Sequence, residues 1–339
     1  MKFAKAIGIS TLLLLCSFAG CLGGNDSDEQ PPEPLRLNHL QMKGTHNSYH
    51  LKPLGGELID EYNYSHAPLD EQASIYGVRQ FEIDVWWIPG LGLRVYHNPY
   101  DSASTCDAFT ECLEVLHDWS VSSPQHVPIW LMIEPKDPPA LVDSMEILQM
   151  IEDDIASVWP ANMTITPDDV RGDSASLSEA VTEGDGWPLL EESRGKALFV
   201  LLDKSEIRDS YVEDNPGLAN ATMFAIVDEI EPEAAVISWT DPMDKGDVLT
   251  AAAEAGFIVR TRPDSGTAEA RESNYSRFDL ALTSGAHMLS TDYEGVDEDI
   301  DYAIWLPEGP VRCNPVTAPP GCTLERIEDV GDYSPPPPS

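Results

Sequence analysis

Gly44-Thr45-His46-Asn47-Ser48-Tyr49 closes an apolar run, Leu37-Asn38-His39-Leu40-Gln41-Met42, that alternates loosely enough to be a strand. His46 and Asn47 therefore fall where a strand stops and a loop begins. Inside a strand neighbouring side chains point to opposite faces, but where the backbone turns at the carboxyl end both can face one cleft. In α/β barrels that end of the strands is where the chemistry is kept.

Outward from this stretch, short apolar runs alternate with helical stretches. Strands are predicted at 37–45, 79–86, 93–97, 128–134, 197–203, 234–239, 256–262 and 286–291, several of them continuous apolar runs of the kind buried parallel strands show. Helices are predicted at 69–76, 109–118, 141–157, 247–255 and 267–283. The rhythm is α/β and the strand count permits a TIM-type (β/α) barrel, a single domain over 37–333. A doubly wound sheet competes, but no G-x-G-x-x-G or G-x-x-x-x-G-K-[ST] follows any strand. Residues 160–195, rich in Asp, Ser, Gly and Pro, are expected to be a long excursion between strands and not a domain boundary.

Phe81-Glu82-Ile83-Asp84-Val85-Trp86 alternates strictly, so Glu82 and Asp84 project from one face of one strand. Flanked by Phe81, Ile83, Val85, Trp86 and Trp87, that strand is expected to be buried, and two buried carboxylates side by side need a cation between them. Leu93-Arg94-Val95-Tyr96-His97-Asn98 reads as another strand ending in a histidine. The run from Pro128 to Ile133 is closed by Glu134, with Lys136 two residues on. Hard oxygen donors suit calcium or magnesium. Together with two imidazoles they are what metal-assisted phosphoryl transfer by general acid–base catalysis requires.

The order His46-Asn47, Glu82-x-Asp84, His97, Glu134 resembles the catalytic half of phosphoinositide-specific phospholipase C, above all the calcium-dependent single-domain group of microbes. The likeness is specific over about 37–137 and resumes weakly at 256–293. It implies a TIM-type barrel that cleaves phosphatidylinositol-type phospholipids to diacylglycerol and a cyclic inositol phosphate. It also implies His46 and His97 as catalytic residues and Asn47, Glu82, Asp84 and Glu134 as ligands of a Ca2+ cofactor. The membrane-binding and regulatory domains of eukaryotic relatives have no counterpart in the sequence. A glycerophosphodiester phosphodiesterase or sphingomyelinase-D-like enzyme on the same barrel is the nearest alternative, although arginine follows the first histidine in those phosphodiesterases where Asn47 stands here. A non-catalytic calcium-binding surface lipoprotein is the alternative of another class. A Ser-His-Asp hydrolase lacks its G-x-S-x-G.

In Phe257-Ile258-Val259-Arg260-Thr261-Arg262 the two arginines share a face, where they can fork onto phosphate oxygens or pair with surplus carboxylates. Lys136 is expected to join them in binding substrate. Ser290-Thr291-Asp292-Tyr293 ends the last apolar run, and Asp292 can orient the imidazole of His46 or cap the following turn.

At the amino end, Lys2 and Lys5 precede an apolar run from Ala6 to Leu15 and the segment Phe18-Ala19-Gly20-Cys21. This reads as a lipoprotein-type signal over 1–20, with Cys21 lipidated and the protein anchored outside the cytoplasm, or as an ordinary secretory signal. Residues 21–36 read as an acidic, proline-bearing tether and 334–339 as a disordered proline-rich tail. Beyond Cys16 and Cys21 the cysteines form two close pairs, Cys106 with Cys112 and Cys313 with Cys322, which in an exported chain read as two disulfides. With 59 acidic and 20 basic residues the net charge is −39, which repels nucleic acid and excludes a DNA-binding role. The expected partner is a phospholipid at a membrane surface, met by a monomer. An acidic surface of this kind also fits a salt-adapted host.

Overall fold

Leu40 and Met42 alternate with Gln41 and Lys43 in β1 (Leu40–Thr45), and all are buried, so the first strand runs through the middle of the protein. The computed structural model describes residues 32–136, 142–184, 186–295 and 300–328. After β1 come β2 (Gln80–Ile88), β3 (Gly92–Val95), β4 (Ile129–Pro135), β5 (Ala197–Leu201), β6 (Met223–Ala225), β7 (Val236–Ser238), β8 (Ile258–Thr261), β9 (Met288–Thr291) and β10 (Val311–Cys313). Eight of them form one parallel sheet in the order β6-β5-β4-β2-β1-β9-β8-β7. A bridge between Ile226 and Val236 joins the two ends, so the sheet is a nearly closed barrel. This is the expected α/β barrel.

The apolar runs pack as buried parallel strands should: Ile129 to Ile133 and Ala197 to Leu201 are almost wholly inaccessible. Helices cover the outside. In Ser144–Val158, capped by Asp143 accepting the Met145 N–H, the buried residues Ile147, Leu148, Ile151 and Ile155 recur at helical spacing.

Several expectations need correction. Residues 37–39 form a 3-10 turn, and the strand begins only at Leu40. β3 is not a barrel strand: it pairs antiparallel with the upper end of β2, Val95 opposite Val85. The missing eighth strand is β6, only three residues long. The helix predicted over 267–283 is two, Ala268–Arg271 and Ser276–Thr283. The excursion at 160–195 contains helices at Pro167–Arg171, Leu177–Glu183 and Leu190–Ser193 and lies inside the unit that starts at Glu33. Leu35 and Arg36, expected in the tether, are packed: Leu35 is buried and its carbonyl accepts the Leu190 N–H. Both disulfides, Cys106–Cys112 and Cys313–Cys322, are present. The signal segment, Cys21 and the tail 334–339 lie outside the described residues. No helix of the described residues is long and apolar enough to cross a membrane.

Candidate active site

β1 hands its chain to the mouth of the barrel at His46, whose N–H donates to the Thr291 carbonyl on β9 at 2.9 Å. Asn47 then adopts a left-handed conformation (φ 47°), which asparagine tolerates better than most residues. Ser48 pins this turn to β2. Its N–H donates to the Glu82 carbonyl at 2.9 Å, and its Oγ accepts the Glu82 N–H at 2.8 Å. The result sets His46 Nε2 3.5 Å from Glu82 Oε1.

The parallel register aligns Asp84 of β2 with Glu134 of β4. Ligand oxygens of Glu82, Asp84 and Glu134 consequently lie within 4.8 Å of one another. Protein cations hold the cluster together. Lys136 Nζ is 2.7 Å from Asp84 Oδ2 and 2.5 Å from Glu134 Oε1, and Arg260 pairs with Glu82 while donating to Ser290 Oγ at 3.1 Å. Burial, followed by the charge of Glu134, pushes the Asp84 carboxyl up to about 8. Burial would raise Glu82 as well, but Arg260 and His46 hold it below its ordinary value.

The cluster fits a hard divalent cation. Its donors are carboxylate oxygens, and Asp84 Oδ1 is buried without accepting a hydrogen bond from the described residues, a state a metal–oxygen bond would relieve. Asn47, next after His46 just beyond the end of β1, is buried as well.

The two histidines differ. His46 Nδ1 is 2.7 Å from Asp292 Oδ1, whose other oxygen accepts from Arg262 Nη2 at 2.7 Å. Burial and then the Arg262 charge hold the His46 pKa below its usual value. The β2–β3 hairpin folds back, bringing Val95 opposite Val85, and His97, two residues on, feels the charges of Asp84 and Lys136. A hydrogen bond with Asp101, at 2.9 Å from His97 Nδ1, raises its pKa.

A cavity of about 470 Å3 opens beside the cluster, lined by His46, Glu82, Glu134, Arg260 and Arg262. Asn47, Asp84, His97, Lys136 and Asp292 do not line it. The arginines thus face the cavity and pair with site carboxylates at once, while Lys136 is committed to Asp84 and Glu134. The same cavity has walls the sequence analysis did not name: Asp203 and Lys204 after β5, and Ser238, Trp239, Thr240 and Asp241 at and beyond the end of β7. They follow the rule that singled out His46, residues at strand carboxyl ends, and were findable by it. Asp101 left no such signal, since it sits in a loop and gains its partners through the fold.

The chain matches the family model of Ca2+-dependent phosphoinositide phospholipase C over residues 35–93 and 88–315. No curated protein matches it. Among solved structures it is similar to a calcium-dependent phosphatidylinositol-specific phospholipase C from Streptomyces antibioticus, at 20% identity and TM-score 0.58, covering 76% of this chain and 95% of that one. It is likewise similar to a calcium-dependent phosphoinositol-specific phospholipase C from Pseudomonas sp., at 17% identity and TM-score 0.54, covering 76% and 90%. At such identities the structural likeness is one of fold.

Proposed function

The chain belongs to the Ca2+-dependent phosphoinositide phospholipase C family, and we propose that it cleaves phosphatidylinositol-type phospholipids to diacylglycerol and a cyclic inositol phosphate by acid–base catalysis. One observation carries this: three carboxylates converge within 4.8 Å, with the His46 imidazole 3.5 Å from one of them. The Pseudomonas sp. structure, described as a myoinositol complex, supports inositol as the head group.

Asn47, Glu82, Asp84 and Glu134 would hold the calcium ion, which would supply positive charge against the phosphate and lower the pKa of the neighbouring inositol 2-hydroxyl. His46, fixed on Nδ1 by Asp292 and biased toward its neutral form, would accept the hydroxyl proton at Nε2 as that oxygen attacks phosphorus in line. Arg260 and Arg262 would grip phosphate oxygens, with Lys136 adding positive charge nearby. As the bond from phosphorus to the glycerol oxygen breaks, His97 would give that oxygen its proton. Water can then open the cyclic product with the histidine roles reversed. The substrate would be a phospholipid at a membrane surface, met by a monomer. The two disulfides suit an extracytoplasmic setting, where lipidation at Cys21 would keep the enzyme near its substrate.

The test is an assay of the purified protein on vesicles of phosphatidylinositol, phosphatidylcholine and phosphatidylglycerol, with calcium or with chelator. Calcium-dependent release of diacylglycerol and cyclic inositol phosphate is expected. Turnover that survives chelation, or release of free choline or glycerol in preference, would overturn the assignment.

A further inference from the structure

Asp101 lies almost wholly buried in the loop after β3, and each of its carboxylate oxygens takes one imidazole. Oδ2 is 2.9 Å from His97 Nδ1, and Oδ1 is 2.9 Å from His50 Nε2. His50 is itself inaccessible and stacked on Tyr64, with ring centroids 4.2 Å apart. It is thus fixed in place and cannot swing away from Asp101. The loop is held independently: Asp101 and Asn98 exchange backbone hydrogen bonds at 2.9 and 3.2 Å, Thr105 N–H donates to the Tyr49 carbonyl at 2.8 Å, and the Cys106–Cys112 disulfide closes its far end.

An ionised carboxylate only accepts hydrogen bonds, so its contact with His97 Nδ1 calls for a proton on that nitrogen. The Asn98 amide nitrogen lies 3.1 Å from the same Nδ1. Were Nδ1 to accept from it, the ring lone pair would face the Asp101 oxygen, which is repulsive. The other charged groups acting on His97 are Asp84 of β2 and Lys136 just beyond β4, and the Tyr62 ring meets it edge-on at 6.0 Å. None of these contacts selects a tautomer.

Building on the reading of His97 as proton donor, we infer that Asp101, braced by His50, is a positioning residue that keeps a proton on His97 Nδ1 and reserves Nε2 for the leaving-group oxygen. The arrangement parallels the opposite side of the site, where Asp292 holds His46 by its Nδ1. Two imidazoles on one carboxylate also explain why a histidine as buried as His50 stands in a loop at the barrel mouth. It occupies the second oxygen of Asp101, which would otherwise be free to turn from His97.

A double-mutant cycle on the full chain tests this with Asp101→Asn, His97→Ala and the pair. Turnover is measured on phosphatidylinositol and on an inositol phosphodiester whose leaving group is nitrophenol, with the calcium-induced rise in melting temperature as a check on the metal site. Asp101→Asn should lower kcat on the lipid by about 10- to 1000-fold, with KM and the calcium-induced rise little changed. Its defect should shrink on the nitrophenyl substrate, and it should cost nothing further when added to His97→Ala. Additive losses, or equal losses on both substrates, would overturn the positioning role while leaving His97 as the acid. No loss in His97→Ala would instead remove the proton-donor reading and the inference with it. If Asp101→Asn does not fold, 15N-histidine NMR of the unaltered protein decides, with His97 identified by its absence in His97→Ala. A hydrogen on Nδ1 of neutral His97 is expected, and one on Nε2, or rapid averaging, would overturn the proposal.

Discussion

His46 and His97 are the same side chain with opposite tasks. His46 is pushed toward its neutral form by burial and Arg262, and His97 toward its protonated form by Asp101. Paired groups whose surroundings separate their pKa values are the usual arrangement of a base and an acid at one pH. The pH dependence follows in sign. The base works deprotonated, so activity should fall as pH drops through the lowered pKa of His46, below the ordinary 6.5. The acid works protonated, so activity should fall as pH rises through the raised pKa of His97, above 6.5. A plateau spanning 6.5 is expected for kcat on phosphatidylinositol. In His97→Ala the alkaline limb should vanish and turnover fall by roughly 10² to 10⁴; an alkaline limb that persists belongs to another group. Lys136 invites a separate test. Its ammonium lies between Asp84 and Glu134, so Lys136→Met leaves their repulsion unopposed. In chelator the variant should lose roughly 1–3 kcal/mol of stability, read from denaturant unfolding, and excess calcium should restore most of it. A loss that calcium does not repair would show that Lys136 matters for packing and not for charge.

At the level of elements, the site depends on how closely β1 and β2 approach below it. Gly44 stands opposite Gln80 in that pairing. A Cβ at Gly44 would come 2.0 Å from Gln80 Oε1 and 2.9 Å from Gln80 Cβ, and Gln80 is fully buried. Gly44→Ala should therefore cost about 1–3 kcal/mol by overpacking. It should also weaken calcium binding in a titration followed by calorimetry, because the strain sits two residues from both His46 and Glu82. Unchanged calcium affinity in a destabilised variant would mean that the strands relax without moving the carboxylates. The same two strands mark what could be read in advance. Glu82 and Asp84 were legible because strict alternation fixes a face whatever the partner, and His46 and Asn47 because a strand end implies a mouth. β6 was not, since Met223-Phe224-Ala225 is too short to show any period and is identified only by lying between β5 and β7. β3 was mistaken for a barrel strand because pairing direction is a property of the partner, and its apolar run looks the same either way. Asp101 and His50 escaped because what joins them to His97 is the return of a hairpin and a loop, contacts with no trace in local spacing.

Over the whole molecule the net charge is −39, and the buried charged residues account for little of it. Among the described residues, the buried cations Lys43, Arg79, Arg260 and Arg262 are accompanied by the buried acids Glu82, Asp84, Asp101, Glu233, Asp264, Asp292 and Glu294, and Lys136 is bound between two site carboxylates. The interior charges thus largely offset one another, and the acidic exterior repels itself at low ionic strength. The Debye length falls from about 30 Å at 0.01 M to about 3 Å at 1 M, so molar salt confines each surface charge to its nearest neighbours. The buried pairs at the site are screened much less and keep their strength. Melting temperature should accordingly rise as potassium chloride is raised from dilute to molar at fixed calcium, and the rise should persist in Lys136→Met, which alters the interior. The proposed substrate carries the same sign of charge as the protein, so salt should act on catalysis too. On vesicles rich in phosphatidylinositol, kcat/KM should increase with salt through easier approach, the reverse of what a basic lipid-binding protein shows. On a short-chain monomeric phosphatidylinositol, with no charged surface to approach, the increase should be much smaller. A melting temperature that is flat or falls with salt would remove the repulsion argument. Equal salt effects on vesicle and monomer would place the electrostatic barrier at the active site itself and not at the membrane.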